Sequence, residues 1–198
     1  MTRFAVNFDY LCPFAYIGND LTIRALEDGA DHQVEFVSFS LSQVHLEEGA
    51  PPVWEAEPLA SGVLALQWGL AVRDRFPEAF HAAHLALFAA RHDQGRNLND
   101  PEVIRNAVAG AGLDPAEVEK VVAEGGPLRA LAAEHTRTVE EHRTFGVPTF
   151  FADGRAVFVR LMRRAKDGAE ARATLDRLLE TITGWPDLNE LKATRIPR

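Results

Sequence analysis

Cysteine occurs once in the 198 residues, at position 12. A single thiol cannot close an internal disulfide, so the fold does not depend on an oxidising compartment. Lysine is nearly as scarce. Eighteen of the 21 basic residues are Arg, the exceptions being Lys120, Lys166 and Lys192. That bias points to a GC-rich genome rather than to a function. A formal net charge of −8 argues against a nucleic-acid surface. No apolar run approaches the 18 or so residues of a membrane span. There is no Gly-x-Gly-x-x-Gly, no phosphate loop and no nucleophile elbow, so neither a bound nucleotide or flavin nor a hydrolase triad is indicated. A strand beginning at Phe4 leaves no room for a signal peptide, and the expected location is cytoplasmic.

What is present is an ordinary globular composition, 46% hydrophobic and 25% charged. Phe4 to Phe8 reads as a buried strand. Ile17 to Leu26 has apolar residues at helical spacing, with Gly29 as a stop. Gln33 to Phe39 reads as a second strand, and strand–helix–strand at this length suggests a parallel pair with a crossover. Residues 40–58 look like a connecting loop broken by Gly49, Pro51, Pro52 and Pro58. From about Ser61 to Arg143 the pattern is helical. Asp100-Pro101 and Asp114-Pro115 are cap-plus-first-turn signals, and Glu117 completes the spacing of a capping box. Strand character returns at Thr149–Phe151, turns near Asp153-Gly154 and runs back through Ala156–Val159. A final helix from about Asp167 to Thr183 ends at Gly184. There are no internal repeats.

Cys12 sits between the first strand and the first helix, directly before Pro13, in the run Asp9-Tyr10-Leu11-Cys12-Pro13-Phe14-Ala15-Tyr16. Proline suits the first helical position, where its missing N–H costs nothing. The thiol then lies at a helix N-terminus, where free N–H groups and the macrodipole favour a thiolate. The expectation is a partly exposed nucleophile whose pKa is lowered. The plain alternative is a small buried hydrophobe.

The element order is that of a thioredoxin fold interrupted by a helical insertion. Asp9–Tyr16, centred on Cys12-Pro13, resembles the active-site turn of the DsbA-like branch of the thioredoxin superfamily. Gly146-Val147-Pro148-Thr149-Phe150 resembles that superfamily's cis-proline loop. The resemblance spans the chain and implies an α/β fold, with residues 1–58 and 144–198 as the thioredoxin-fold domain and 59–143 as a helical insertion domain. Within the branch, the chain looks most like actinobacterial DsbA-like proteins, including mycothiol-dependent nitroreductases. It is more distantly similar to kappa-class glutathione transferases and 2-hydroxychromene-2-carboxylate isomerases.

One departure from the family pattern matters. The dithiol motif is Cys-x-x-Cys, and here Ala15 stands at the second position. The resemblance therefore implies a monothiol oxidoreductase with no tightly bound cofactor. Cys12 is its nucleophile, and a low-molecular-weight thiol, mycothiol or glutathione, resolves the adduct. The other substrate would be a disulfide or an electrophile. A kappa-like transferase or isomerase and a redox-inactive peptide-binding module are the rival readings. Related families often form dimers, so a homodimer is one expected assembly.

Around Cys12, the implied thiol- and substrate-binding residues are Asp9, Pro13, Phe14, Val147, Pro148 and Arg160. A cis bond at Pro148 would turn the Val147 backbone toward the thiol and offer strand-like hydrogen bonds. Arg160 suits a carboxylate of the small thiol, against the plainer reading of a solvated strand-end charge. Asp9 either tunes the thiol or serves as a turn residue. Phe14 and Tyr10 read equally as an apolar wall or as core. His81 and His84 have ligand-compatible spacing, and His92, His135 and His142 follow, but no cysteine partner accompanies them and no metal site is expected.

Overall fold

The computed structural model describes residues 1–195, so the last three residues of the expected 144–198 segment lie outside the described residues. Four strands form one sheet in the order β2-β1-β3-β4. β1 (Thr2–Phe8) pairs in parallel with β2 (His32–Ser38), joined through α1 (Pro13–Glu27). β3 (Thr149–Ala152) runs antiparallel to β1, and β4 (Arg155–Phe158) closes a hairpin on β3. The central strands are buried because Phe4, Val6 and Phe8 of β1 and Phe150 of β3 all point into the core.

Six helices were not all legible as separate elements in the sequence. α2 (Leu41–Val44) is one short turn inside the stretch expected to be loop, started by Ser40, whose Oγ accepts from Gln43 N–H at 3.2 Å. Then come α3 (Val63–Arg75), α4 (Pro77–His92), α5 (Pro101–Gly110), α6 (Pro115–Ala123) and α7 (Gly126–His142). Asp100 and Asp114 cap α5 and α6 by accepting from the second N–H of each helix. Glu117 pairs with Lys120 instead of reaching back to its cap. α8 (Gly168–Gly184) is capped by Asp167 and includes Gly184, which was expected to stop it. Among the described residues no helix is long and apolar enough to cross a membrane.

α3 shows no amphipathic stripe, because it is enclosed on all sides. Val63, Leu66, Trp68, Leu70 and Val72 are all buried, and the helix packs against α4, α6 and α7. α4 meets the sheet through an aromatic cluster in which the His84 ring lies 4.6 Å from Phe8 and Phe80 lies 5.3 Å from Phe36. The edge strand β2 is tied to the helices by charge. Arg73 of α3 donates to the Phe36 carbonyl and to Glu134 of α7, and Glu134 accepts from the Ser38 N–H at 2.6 Å. Those side chains take up backbone groups that an open sheet edge would expose.

Gly69 is required by a close approach. A Cβ there would stand 2.2 Å from the Tyr10 hydroxyl, which itself bonds His84 Nδ1 at 2.8 Å. Gly69→Ala should therefore destabilise the protein by about 1–3 kcal/mol, the usual cost of overpacking. A thermal melt checks this, with an expected fall of about 2–4 °C per kcal/mol for a chain of this size.

Candidate active site

Cys12 is the N-cap of α1, with extended backbone, and Pro13 occupies the first helical position on the surface. The Ala15 N–H donates to Cys12 Sγ at 3.4 Å, and the thiol donates to the Val147 carbonyl at 3.4 Å. Two segments 135 residues apart thus meet at the sulfur. The Val147–Pro148 peptide bond is cis, as is Glu57–Pro58, which nothing in the sequence had marked. Gly18 lets the proline in, since a Cβ on it would lie 2.9 Å from Pro148 Cγ.

The thiol differs from the sequence expectation. Cys12 is buried, with 8% of its surface exposed, and burial pushes its pKa up. Hydrogen bonds from the first turn of α1 and the positive charge of Arg160 pull the other way, and the charge of Asp9 adds to the rise. The helix-terminus argument captured the helix N–H groups correctly, but desolvation outweighs them here. At neutral pH the resting group is the protonated thiol.

Asp9 is buried beneath the turn. Its Oδ1 accepts from Leu11 N–H at 2.9 Å and its Oδ2 from Leu41 N–H at 2.7 Å, so one carboxylate fixes the thiol's turn and starts α2. Burial raises its pKa to about 6, against the lowering effect of those two bonds. Phe14 is half-buried and carries the Arg160 guanidinium 4.6 Å above its ring, with the Phe158 ring 5.9 Å away. Arg160 is exposed, and its neighbours are aromatic faces.

Tyr10 is core rather than wall, with no exposed surface. Its hydroxyl donates to His84 Nδ1, and His84 Nε2 donates to Asn19 Oδ1 at 3.1 Å, an orientation fixed because Asn19 Nδ2 faces the Ala15 carbonyl at 2.8 Å. Burial holds His84 neutral, well below the usual histidine range. His92 donates to the Tyr10 carbonyl at 3.0 Å and stacks on Tyr16. His135 accepts from Ser40 N–H at 3.2 Å against the Phe39 ring, and burial lowers its pKa to about 4. His84, His92 and His135 are thus each committed to a separate structural bond. Sequence reading missed Tyr16, whose hydroxyl donates to Asp93 at 2.7 Å and accepts from Arg164 at 2.6 Å beside the active turn. It also missed Asn7 and Asn19, whose partners lie far along the chain.

Two measurements follow. The midpoint of iodoacetamide alkylation of Cys12 against pH should lie above that of an unhindered thiol, and Asp9→Asn should lower it by removing a nearby negative charge. Asp9 also makes a definite contribution to stability. Its folded pKa of about 6 exceeds the unfolded value near 3.8, so its share of stability is full below pH 3.8 and is lost as pH rises through about 6. The wild-type advantage over Asp9→Asn in urea unfolding should therefore grow as pH falls from 7 to 4, by on the order of 2–3 kcal/mol.

The geometry agrees with the comparisons with known proteins. The family model for the DSBA-like thioredoxin domain matches residues 5–167. A search of curated proteins finds no match. Among solved structures, a probable DsbA oxidoreductase from Streptomyces coelicolor is 21% identical, covering 98% of this chain and 94% of its own, with a TM-score of 0.61. DsbM, a cytosolic disulfide reductase from Pseudomonas aeruginosa solved with GSH, is 20% identical over 90% of this chain and 99% of its own, also at 0.61. The oxidoreductase DsbA from Xylella fastidiosa is 19% identical over 92% and 86%, at 0.57. At these identities the structures establish the fold, and the family model, matching most of the chain, establishes that this protein belongs to the DSBA-like thioredoxin domain family.

Proposed function

We propose that the protein is a monothiol thiol–disulfide oxidoreductase in which Cys12 is the nucleophile and a low-molecular-weight thiol, mycothiol or glutathione, is the co-substrate. The observation that carries the reading is the placement of Cys12 Sγ at the start of α1, against the Val147 carbonyl, with Ala15 where a resolving thiol would stand. Membership of the DSBA-like family supports thiol chemistry at that turn. The likeness to DsbM, a cytosolic disulfide reductase solved with GSH, agrees with glutathione and with a cytoplasmic location.

The exchange has two balanced steps. Cys12 loses its proton to solvent, and the thiolate attacks one sulfur of a substrate disulfide. A mixed disulfide forms and the other substrate sulfur leaves as a thiolate. The small thiol, as its thiolate, then attacks the substrate sulfur of that adduct, forming a new disulfide and returning Cys12 as a thiolate. The protein's oxidation state is unchanged over the cycle. Burial makes the Cys12 thiolate scarce at neutral pH, but a thiolate of higher pKa is intrinsically the better nucleophile. Arg160 favours the thiolate by charge and presents a planar cation to a carboxylate on the small thiol. Pro13 and Phe14 follow the thiol in the first turn of α1, the Val147 carbonyl faces it from across the site, and Pro148 packs beside Gly18 of the same helix.

A second reading rests on the protonation of Cys12. A neutral S–H that donates a hydrogen bond also suits a kappa-like transferase or isomerase, in which Cys12 holds the co-substrate thiolate without attacking it. Cys12→Ser separates the readings because serine keeps the donor and loses the nucleophile. With 2-hydroxyethyl disulfide as substrate and glutathione or mycothiol as the resolving thiol, disulfide turnover should vanish in Cys12→Ser. Retained transfer of glutathione to an aryl halide would favour the transferase. Unchanged peptide binding with no turnover in the wild type would favour a binding module. Arg160→Gln should raise the KM for the small thiol, with a loss on the order of 1.5–3 kcal/mol for a charged hydrogen bond.

A further inference from the structure

Asn7 takes no part in the exchange steps, yet its side chain is fully buried in the one strand that runs beneath both halves of the site. The β1–β3 ladder ends at Val6 opposite Phe150. One residue further along, a side chain replaces the ladder. Asn7 Oδ1 accepts from Thr149 N–H at 2.6 Å, and Asn7 Nδ2 donates to the Gly146 carbonyl at 3.2 Å. The Thr149 hydroxyl donates to the same carbonyl at 2.8 Å. The carboxamide therefore bridges the two ends of the turn whose middle is Val147-Pro148. On its other side, Asn19 of α1 donates to the Asn7 carbonyl at 3.4 Å and to the Ala15 carbonyl at 2.8 Å.

We propose that Asn7 is a positioning residue for the chemistry at Cys12: by clamping Gly146 to Thr149 it holds the Val147 carbonyl against the thiol. The inference rests on the reading of Cys12 as the reacting group. Asparagine is well suited to this place, because it supplies one donor and one acceptor, at 3.2 and 2.6 Å from one backbone acceptor and one backbone donor, both buried. Alanine would leave the Thr149 N–H unpaired and the Gly146 carbonyl with the Thr149 hydroxyl alone. The thiol–carbonyl bond favours the protonated form, so a loosened loop gives up that preference and admits water. The other charged influences on the thiol, Asp9 and Arg160, lie outside the clamp and stay in place, as does neutral His84 behind Asn19.

The test uses the full chain. In Asn7→Ala, the pH midpoint of Cys12 alkylation by iodoacetamide should move down, and the Thr149 amide should exchange with solvent faster. Turnover of 2-hydroxyethyl disulfide with glutathione should fall by on the order of tenfold to a hundredfold, as expected when a reacting group is misplaced. Val118→Ala, a truncation of a buried residue in α6, serves as the control, lowering stability without moving the midpoint. A folded Asn7→Ala protein with a wild-type midpoint and wild-type Thr149 exchange overturns the proposal. Should Asn7→Ala not fold, Asn7→Ser decides: its shorter side chain cannot span from the Thr149 N–H to the Gly146 carbonyl, so a smaller downward shift supports the clamp and an unchanged midpoint overturns it. Alkylation needs no substrate, so a wild-type protein that turns over no disulfide would defeat the exchange reading and leave this test intact.

Discussion

The contact between the Cys12 thiol and the Val147 carbonyl is the constraint on which the site depends. It joins the end of the first strand to the start of the third, 135 residues later, and neither segment has reason to stay there alone. The sheet supplies the approach by placing β3 beside β1. Gly18 removes the methyl group that would keep Pro148 off α1, and Asn7 fastens the ends of the turn. Each of these is small and buried. A change at any one of them would act on the sulfur through displacement of backbone rather than through lost contact with substrate.

Much of the fold was legible because its signals are local. Pro101 and Pro115 after aspartates, the alternation in the strands and the Asp153-Gly154 turn all act within a few residues. Cys12-Pro13 and Val147-Pro148 were legible for the same reason, together with their resemblance to a known pattern. What could not be read was pairing across the chain. Asp9 resembled a turn residue and is one, but its second oxygen serves Leu41, 32 residues away. His84 looked like half of a ligand pair, yet the fold places it between Tyr10 and Asn19. α2 was hidden because four residues carry no period.

The direction of the Cys12 pKa shows where local reasoning stops. Position at a helix start is a property of the sequence, and it gave the correct donors. Burial is a property of the whole fold, set by α1 and the Gly146–Thr149 turn closing around the thiol together. In a contest between two first-turn N–H groups and the loss of water, the tertiary contribution dominates.

That outcome bears on the direction of the proposed exchange. In a dithiol oxidant a strongly stabilised thiolate makes the protein sulfur the better leaving group, so oxidising equivalents are passed on. Cys12 has the opposite character. With no second cysteine and a thiol whose protonated form is favoured, it is the poorer leaving group in any mixed disulfide with a thiol of ordinary pKa. The adduct should therefore be long-lived until a second small thiol reaches it. Attack on the protein sulfur would expel the substrate thiol and leave Cys12 held in a new mixed disulfide, whereas attack on the outer sulfur frees Cys12 and completes the cycle. Burial decides between them: the protein sulfur is enclosed by α1 and the Val147 carbonyl, whereas the outer sulfur of an adduct has to extend away from that enclosure. The burial that makes the thiolate scarce thus also directs the resolving thiol to the productive sulfur.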